Sequence, residues 1–267
     1  LLECWRSQLQ LSARDRGLLG GELQLLDRQL QRLQQRRLRI ALFGRVGVGK
    51  SSLINALVKR PLLETDVAHG STRHQQAVDW PVEIAGITRV ELVDTPGIDE
   101  IDAAGRARLA SRVAMGADLV LLVVDSDLTR ADMDALSTLL DSGKPLQVVL
   151  NRSDRWPEQE RIALLRSIRA RLPVDLPITA VAAAPRSPLI QADGRVRSTI
   201  MAPQVQDLQE QLCQQLENEG NLLLAIQSLR QADRFQRACQ ELRLRQHRRT
   251  AQSLIGRYAA AKATGVA

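Results

Sequence analysis

The stretch over residues 38–57 constrains the fold more than any other part of the chain. It reads as a short buried strand, a glycine-rich turn and the first turns of an amphipathic helix, and it contains the pattern Gly44-x-x-x-x-Gly49-Lys50-Ser51. Glycines let the backbone of such a turn curl until several N–H groups point at one set of phosphate oxygens. The helix that follows adds the positive end of its dipole. The sequence therefore predicts a phosphate-binding loop between a strand and a helix.

Two side chains of this loop have predicted roles beyond the backbone cradle. Lys50 is placed to reach the β- and γ-phosphates of a nucleotide, and the Ser51 hydroxyl to ligate Mg²⁺. The residues predicted to surround the phosphates are Gly44, Arg45, Val46, Gly47, Val48, Gly49, Lys50, Ser51 and Ser52.

From residue 38 onward the chain alternates between predicted strands and predicted helices. Near-continuous Val and Leu runs, such as 118–125, are typical of strands buried on both faces of a parallel sheet. We therefore predict an α/β fold, a doubly wound and mostly parallel sheet, over residues 38–185. The predicted strands are 39–43, 76–84, 88–93, 118–125, 146–150 and 178–182, and the predicted helices are 51–59, 100–115, 130–141 and 157–171.

Helical segments are predicted on both sides of this domain. Residues 1–37 are predicted to be helical throughout, with an apolar seam formed by leucines at 19, 23, 26, 30 and 33, and with Gly20-Gly21 as a place where the helix could kink or break. Residues 204–267 predict one helix to about 218, a break at Gly220 and a long helix over 221–262. Residues 186–203 are predicted to be a linker loop. We expect the two helical segments to pack together as an appendage, and a chain that starts with Leu to be a fragment.

The positive charge is concentrated at the two ends of the chain. The formal net charge is +7 and the pI is about 10.1. Residues 1–40 hold eight arginines against four acids, residues 201–267 hold nine basic residues against six acids, and the middle is neutral. Solvated helix faces are the plain interpretation, and a surface for anionic lipid or an acidic partner is the sharper one. Nucleic acid is not expected, because aromatic residues for base stacking make up only 2% of the chain.

The composition is that of a globular protein with no obvious span or disulfide framework. Charged residues make up 25% and hydrophobic residues 44% of the 267 positions, and no apolar run approaches the roughly 18 residues of a membrane helix. The three cysteines are far apart and share no metal-binding spacing, so we expect them to be reduced and structural.

A second phosphate motif follows the strand predicted over 88–93. Asp94-Thr95-Pro96-Gly97 places a carboxylate where it can hold a water on Mg²⁺, and the Gly97 N–H where it can meet the γ-phosphate. A plain turn is the alternative, since Pro and Gly favour one.

The segment Asn151-Arg152-Ser153-Asp154, directly after the strand at 146–150, resembles the base-specificity motif Asn-Lys-x-Asp of the translation-factor-related GTPases. The resemblance implies that Asp154 accepts two hydrogen bonds from guanine, and that Asn151 and Arg152 also contact the nucleotide. Adenine lacks that donor pair and would leave the carboxylate unpaired, which costs roughly 1–3 kcal/mol of binding free energy. Arg152 replaces the usual lysine, and its stem and planar head can still cover the base and sugar. A turn is again the alternative.

Two further elements are implied by the same resemblance. A threonine of switch I should ligate Mg²⁺; Thr72 is the best match, with Ser71 and Thr65 as alternatives. The last motif, usually Ser-Ala-Lys, is here three alanines, and the backbone N–H groups of Ala182 and Ala183 would contact the guanine oxygen. The implied catalytic residues are then Lys50, Thr72 and Gly97, and the implied metal ligands Ser51, Thr72 and Asp94.

Across about 145 residues the chain is most similar to the Era/MnmE branch of the TRAFAC-class P-loop GTPases. The stretches that carry this resemblance are GRVGVGKSSLINAL, DTPG and VVDSDLT. With its helical flanks it resembles cyanobacterial Era-like GTPases. Members of that group usually continue into a membrane-associating C-terminal domain, which this chain would lack.

Two positions depart from these families. Ras-like enzymes have a glutamine directly after Asp-x-x-Gly to orient the attacking water, and this chain has Ile98 there. In its place, hydrolysis could be assisted by Asp99, Glu100 or Arg73, or by a group from a partner. MnmE-like proteins have a potassium-binding asparagine where this chain has Gly47, so potassium activation is not expected. The resemblance implies slow turnover, on the order of 10⁻³ s⁻¹ or below.

Two functions compete at this point. One is a GTPase that hydrolyses GTP to GDP with Mg²⁺ and acts as a slow switch; the other is a nucleotide-dependent scaffold with negligible hydrolysis. The set of Lys50, Ser51, Thr72 and Asp94 favours the first. Expected partners are a membrane surface or membrane-associated domain, a protein effector, and a second copy in a nucleotide-dependent dimer. We expect a cytoplasmic protein, peripheral at the inner or thylakoid membrane in its full-length form.

Overall fold

The computed structural model describes residues 2–64, 76–98, 103–190, 196–263 and 265, and it divides into two compact units. Residues 36–223 form an α/β unit, and residues 1–35 with 224–267 form a helical unit. The helices are α1 Leu2–Ser7, α2 Ala13–Leu18, α3 Gly20–Gln34, α4 Lys50–Val58, α5 Ala103–Gly116, α6 Arg130–Asp141, α7 Glu158–Arg171 and α8 Gln206–Ala263. The strands are β1 Arg37–Phe43, β2 Gln76–Trp80, β3 Arg89–Asp94, β4 Leu119–Val124, β5 Leu146–Leu150, β6 Ile178–Ala180, β7 Arg186–Ile190 and β8 Val196–Ile200.

The α/β unit is built on a six-stranded sheet in the order β2-β3-β1-β4-β5-β6. All neighbouring pairs are parallel except β2 with β3. The residues of β4 and β5 are buried throughout, as strands covered by helices on both faces must be. The predicted mostly parallel α/β sheet is confirmed. β2 lies at its edge, and the Pro81 that follows it cannot donate to a ladder.

One core cluster lies on a face of this sheet and includes the residue that departs from the Ras pattern. Inward side chains of β1, β4 and β5 pack there against α5 and α6. Ile98, just after β3, belongs to this cluster and is fully buried. Its side chain therefore fills the core.

The helical unit has a small core of its own. Leu19, Leu26 and Leu30 pack with Ala232 and Phe235 of α8. The Phe235 ring also meets Trp5 edge-on, with ring centroids 6.4 Å apart. The predicted packing of the N-terminal leucine seam on the C-terminal helix is confirmed within this unit. The N-terminal segment is three helices rather than one continuous helix.

Two predictions for the C-terminal third were wrong. Residues 186–203, expected to be a loop, contain the antiparallel pair β7–β8, in which Pro188 faces Ser198. Gly220 does not break the helix: α8 is one helix of 58 residues. A Cβ at Gly220 would lie 3.3 Å from Cγ1 of Ile87, so glycine allows a close approach of α8 to that side chain. Residues 206–223 of α8 therefore belong to the α/β unit.

Among the helices of the described residues, none is both long and apolar enough to cross a bilayer.

Candidate functional site

The predicted site residues follow strands whose carboxyl ends lie at the same edge of the sheet. The chain order reverses beside β1, with β3 on one side and β4 on the other. Ligands of open α/β sheets bind at such a reversal, outside the carboxyl ends of the strands. The segments that follow β1, β3, β4, β5 and β6 begin at residues 44, 95, 125, 151 and 181.

The phosphate loop follows β1 and leads directly into α4. Gly44, Gly47 and Gly49 all have positive φ, at 153°, 77° and 88°. Gly49 is also the N-cap of α4, and a Cβ at this position would overlap the side-chain amide of Asn151. Glycine is therefore required at residue 49 both by the backbone conformation and by the space beside it.

The Lys50 side chain is held over this loop. It is 7% exposed, and its Nζ donates hydrogen bonds to the carbonyl oxygens of Gly44 at 3.0 Å and Arg45 at 2.8 Å. The ammonium thus lies against the loop backbone, where the loop N–H groups would bind phosphate oxygens. The geometry fits the predicted role of Lys50 as a phosphate ligand.

The start of α4 and the end of β3 bring a hydroxyl to a carboxylate. Ser51 Oγ donates to Asp94 Oδ2 at 2.5 Å, and Asp94 is 1% exposed. Next to it, the Thr95 hydroxyl donates to the carbonyl oxygen of Leu42 at 2.7 Å, which fixes this segment to β1. The two predicted metal ligands that the structure describes therefore lie together.

Gly97 brings the second phosphate motif against the phosphate loop. A Cβ at Gly97 would lie 2.6 Å from the backbone nitrogen of Val46. Only glycine allows the two loops to approach this closely. Ile98 follows with its side chain in the core. Thr72, its alternatives Ser71 and Thr65, and the candidate assisting groups Arg73, Asp99 and Glu100 lie outside the described residues.

Asn151 joins three loops through one side-chain amide. Its Nδ2 donates to the carbonyl oxygens of Val48 at 2.9 Å and Gly49 at 3.3 Å, and its Oδ1 accepts from the Ala183 N–H at 3.1 Å. The side chain is 1% exposed. Asn151 was predicted as a nucleotide ligand, and the structure shows it as a brace that holds the phosphate loop to the loops after β5 and β6.

The other two residues of this motif differ in their surroundings. Arg152 has a positive φ of 58°, and its guanidinium donates to Asp125 Oδ2 at 2.9 Å. The head group predicted to cover the base is therefore held by a carboxylate. Asp154, in the 3-10 turn Ser153–Arg155, is exposed and makes no hydrogen bond or ion pair within the described part of the chain. Its oxygens are accessible, as a base-reading carboxylate requires.

The loop after β6 corrects the predicted base contacts. The Ala182 N–H donates to the Gln204 carbonyl oxygen at 3.0 Å, and the Ala183 N–H is taken by Asn151. Both N–H groups are thus already used, which contradicts their predicted contact with guanine. Ala184 is exposed, and its N–H has no partner among the described residues. The sequence could not indicate that Ala184, rather than Ala182 or Ala183, has the available N–H group, because three identical alanines do not show how the loop is aligned.

Comparison with known proteins gives matches for the part of the chain that runs from β1 to the start of the loop after β5. Residues 39–152 match the family model described as 50S ribosome-binding GTPase. GTPase Der of Rhizobium johnstonii is 40% identical over 121 residues, which is 43% of this chain and 25% of that protein. The tRNA modification GTPase MnmE of Synechococcus elongatus is 36% identical over 131 residues, 48% of this chain and 28% of that protein.

Solved structures give the same result for the fold. Era of Aquifex aeolicus bound to GDP and AlF₄⁻ superposes with a TM-score of 0.53 at 21% identity, covering 67% of this chain and 56% of that one. The α/β unit has the P-loop GTPase fold, and we call it the GTPase-fold unit. Era in a complex with MgGDPNP and nucleotides of 16S ribosomal RNA superposes on this chain with a TM-score of 0.52, at the same identity and coverage.

The matches cover a limited part of the proteins concerned. The chain spans about a quarter of the length of the curated relatives it matches. The family model and these relatives align with less than half of the chain.

Replacing Asn151 should destabilise the fold, whereas replacing Asp154 of the same motif should leave its stability nearly unchanged. Replacing Asn151 by Ala leaves the buried Val48 carbonyl and the buried Ala183 N–H without this partner, while the Gly49 carbonyl keeps its bond from the Leu53 N–H, and the free energy of unfolding should fall by about 2–3 kcal/mol. Asp154→Ala is the matched control in the same loop, and it should change stability by less than about 0.5 kcal/mol because the side chain is exposed and has no partner among the described residues. Urea unfolding without nucleotide measures both, and equal losses would contradict the assignment of Asn151 as the brace.

Proposed function

We propose that the GTPase-fold unit binds GTP and GDP with Mg²⁺ and hydrolyses GTP to GDP and phosphate as a slow molecular switch. The observation that carries the proposal is the convergence, at one edge of the sheet, of Lys50, the Ser51–Asp94 pair and the loop of Asp154. These are groups for phosphate, for a divalent cation and for guanine, in an order that one nucleotide can span.

The residues present fit a Mg²⁺ ion. Ser51 Oγ and the Asp94 carboxylate offer oxygen atoms, the donor type that Mg²⁺ prefers. Among the described residues no cluster of three or more acidic, His or Cys side chains forms a metal cage. Mg²⁺ at nucleotide sites needs none, since one or two protein oxygens suffice beside waters and phosphates. When bound, the ion would neutralise charge on the β- and γ-phosphates, and Ser51, Asp94 and Thr72 would hold it.

The protein groups support binding of the nucleotide better than they support cleavage of GTP. Lys50 would exchange its two carbonyl partners for phosphate oxygens, and the Gly97 N–H would meet the γ-phosphate. Ile98 is fully buried, so no polar side chain at that position orients the attacking water. Hydrolysis then needs a group from outside the described residues, from a partner or from a second copy in a nucleotide-dependent dimer.

A single-turnover assay separates the enzyme from the scaffold. The purified chain with Mg²⁺ should hydrolyse bound GTP on the order of 10⁻³ s⁻¹ or slower, by analogy with unassisted GTPases. Lys50→Ala should lose hydrolysis because it removes the charge that reaches the β- and γ-phosphates. GTP consumption no faster than that of Lys50→Ala, with GTP still bound by the parent chain, would support the scaffold. Fast unassisted turnover would contradict the proposed slow switch.

Guanine selection is tested separately. Asp154→Asn replaces two acceptor positions by one acceptor and one donor, so preference should move from GDP toward xanthosine diphosphate by about 10- to 100-fold. Asp175→Asn makes the same charge change at another exposed loop residue and should leave both affinities unchanged. Fluorescence titration with the two nucleotides measures the ratio, and unaltered GDP binding by Asp154→Asn would count against Asp154 as the selector.

We further propose that the last turns of α8 couple the switch to an anionic membrane surface. Residues 242–267 contain six Lys and Arg and no acidic residue. Leu244, Leu254, Ile255 and Tyr258 are between 59% and 74% exposed. At 100° per residue these four side chains fall on one side of the helix. Basic helices with an exposed apolar stripe bind at lipid headgroups.

Vesicle sedimentation tests this coupling. The chain should sediment with phosphatidylglycerol vesicles and not with phosphatidylcholine vesicles, and the double variant Leu254→Ser/Ile255→Ser should lose binding because it removes apolar surface from the stripe. Leu229→Ser is the matched control, an exposed leucine earlier in α8. Equal binding of the double variant and the parent would refute the stripe as the lipid contact.

We also propose a family relationship and a protein partner for this chain. The resemblance supports kinship with cyanobacterial Era-like GTPases that carry a membrane-associating domain, and a protein effector at the helical flanks. Nucleic acid is not proposed as a partner, because aromatic residues are scarce. The RNA in the solved Era complex belongs to Era, whose likeness to this chain at 21% identity is one of fold.

A further inference from the structure

The segment after β4 places a carboxylate between the two loops that would read opposite ends of a nucleotide. β4 is hydrogen-bonded to β1 on one side and to β5 on the other. The residue after β4 therefore lies between the phosphate loop and residues 151–154, which follow β5 and which we call the base loop. That residue is Asp125, whose side chain is 19% exposed.

The two oxygens of Asp125 bind two different arginines. Oδ1 accepts from the Arg45 guanidinium at 3.1 Å, and Oδ2 accepts from the Arg152 guanidinium at 2.9 Å. Arg45 belongs to the phosphate loop, and Arg152 precedes Asp154 by two residues. One carboxylate thus connects the phosphate loop with the base loop through two charge-assisted hydrogen bonds, which are stronger than neutral ones.

The two arginines depend on Asp125 to different degrees. The Arg45 guanidinium also donates to Ser126 Oγ at 3.1 Å and lies 3.3 Å from the fully buried Asp132 carboxylate. Within the described residues, Asp125 is the one acidic partner of Arg152. Loss of the Asp125 charge therefore releases Arg152 while Arg45 keeps other partners.

We propose that Asp125 is a positioning residue for guanine nucleotide binding, one that holds the base loop in register with the phosphate loop through Arg152; this rests on the proposed function. A nucleotide must be bound at its base and its phosphates together, so loops already at the correct separation lose less entropy on binding. Without the shared carboxylate, the two arginine side chains repel each other and the base loop shifts.

The test compares two aspartates of the same segment. Asp125→Asn presents an amide N–H₂ to one of two guanidinium donors, so the Kd for GDP should rise about tenfold, the equivalent of one charge-assisted hydrogen bond. Asp127→Asn makes the same charge change two residues further on and should leave the Kd unchanged. Asp127 accepts from Ser167 Oγ at 2.8 Å and pairs with Arg171 at 3.3 Å. Although burial acts to raise the pKa of Asp127, the Ser167 and Leu128 hydrogen bonds and Arg171 hold it below its usual value.

A double-mutant cycle shows whether Asp125 acts through Arg152. Arg152→Gln alone should weaken GDP binding about as much as Asp125→Asn, and the double variant should lose no more than either single variant. Because residues in contact are also non-additive in stability, thermal unfolding without nucleotide is measured for every variant, and Asp127→Asn shows whether the loss of an ion pair by itself changes the Kd. If Asp125→Asn fails to fold, Arg152→Gln alone carries the test, and an unchanged Kd for it overturns the proposal.

Three results would overturn the positioning role. These are a parental Kd for Asp125→Asn, equal losses for Asp125→Asn and Asp127→Asn, or losses that add fully in the double variant. A parent chain that binds no GDP at all would instead overturn the proposed function, so the two failures are distinguishable.

Discussion

The hydrogen bonds of the Asn151 amide are the interaction on which the arrangement of the site depends. The loops after parallel strands are separate excursions of the chain, and nothing in strand pairing fixes the distance between them. Asn151 supplies that distance: it donates to the phosphate loop and accepts from the loop after β6. At 1% exposure the amide has no water to replace these partners, so the loops cannot separate without leaving buried polar groups unpaired. Gly49 leaves the space that the amide occupies.

Motif residues therefore divide into those that hold the site together and those that face a ligand. Asn151 and Gly97 fix how closely the loops approach, and Asp154 is exposed with its carboxylate unpaired within the described part of the chain. Arg152 was predicted to cover the base, but its guanidinium is bound by Asp125. The two sequence motifs predict all four as residues that contact the nucleotide, while the energetic consequences of losing each are different.

The sequence was sufficient where a local pattern fixes the backbone, and insufficient where distant packing decides. The glycine spacing predicted the turn between β1 and α4, and the apolar runs predicted the buried parallel strands. Gly220 suggested a helix break because its nearest partner, Ile87, is more than a hundred residues away in the chain. The strands β7 and β8 have no alternating apolar pattern, and Pro188 argues against a strand. Asp125 could not be found, because one acid after a strand carries no spacing.

Ile98 contributes to the packing of the core and offers no polar group for catalysis. Its side chain packs with residues of β1, β4 and the helices of the GTPase-fold unit, so the adjacent Gly97 is held where it closely approaches Val46 of the phosphate loop. A glutamine here would place an amide in an apolar core, at a cost of a few kcal/mol unless it found partners. The buried aliphatic residue thus holds the second phosphate motif in place for binding and removes the group that would orient water. The proposed hydrolysis would therefore need a water-orienting group from another polypeptide or from another part of this one.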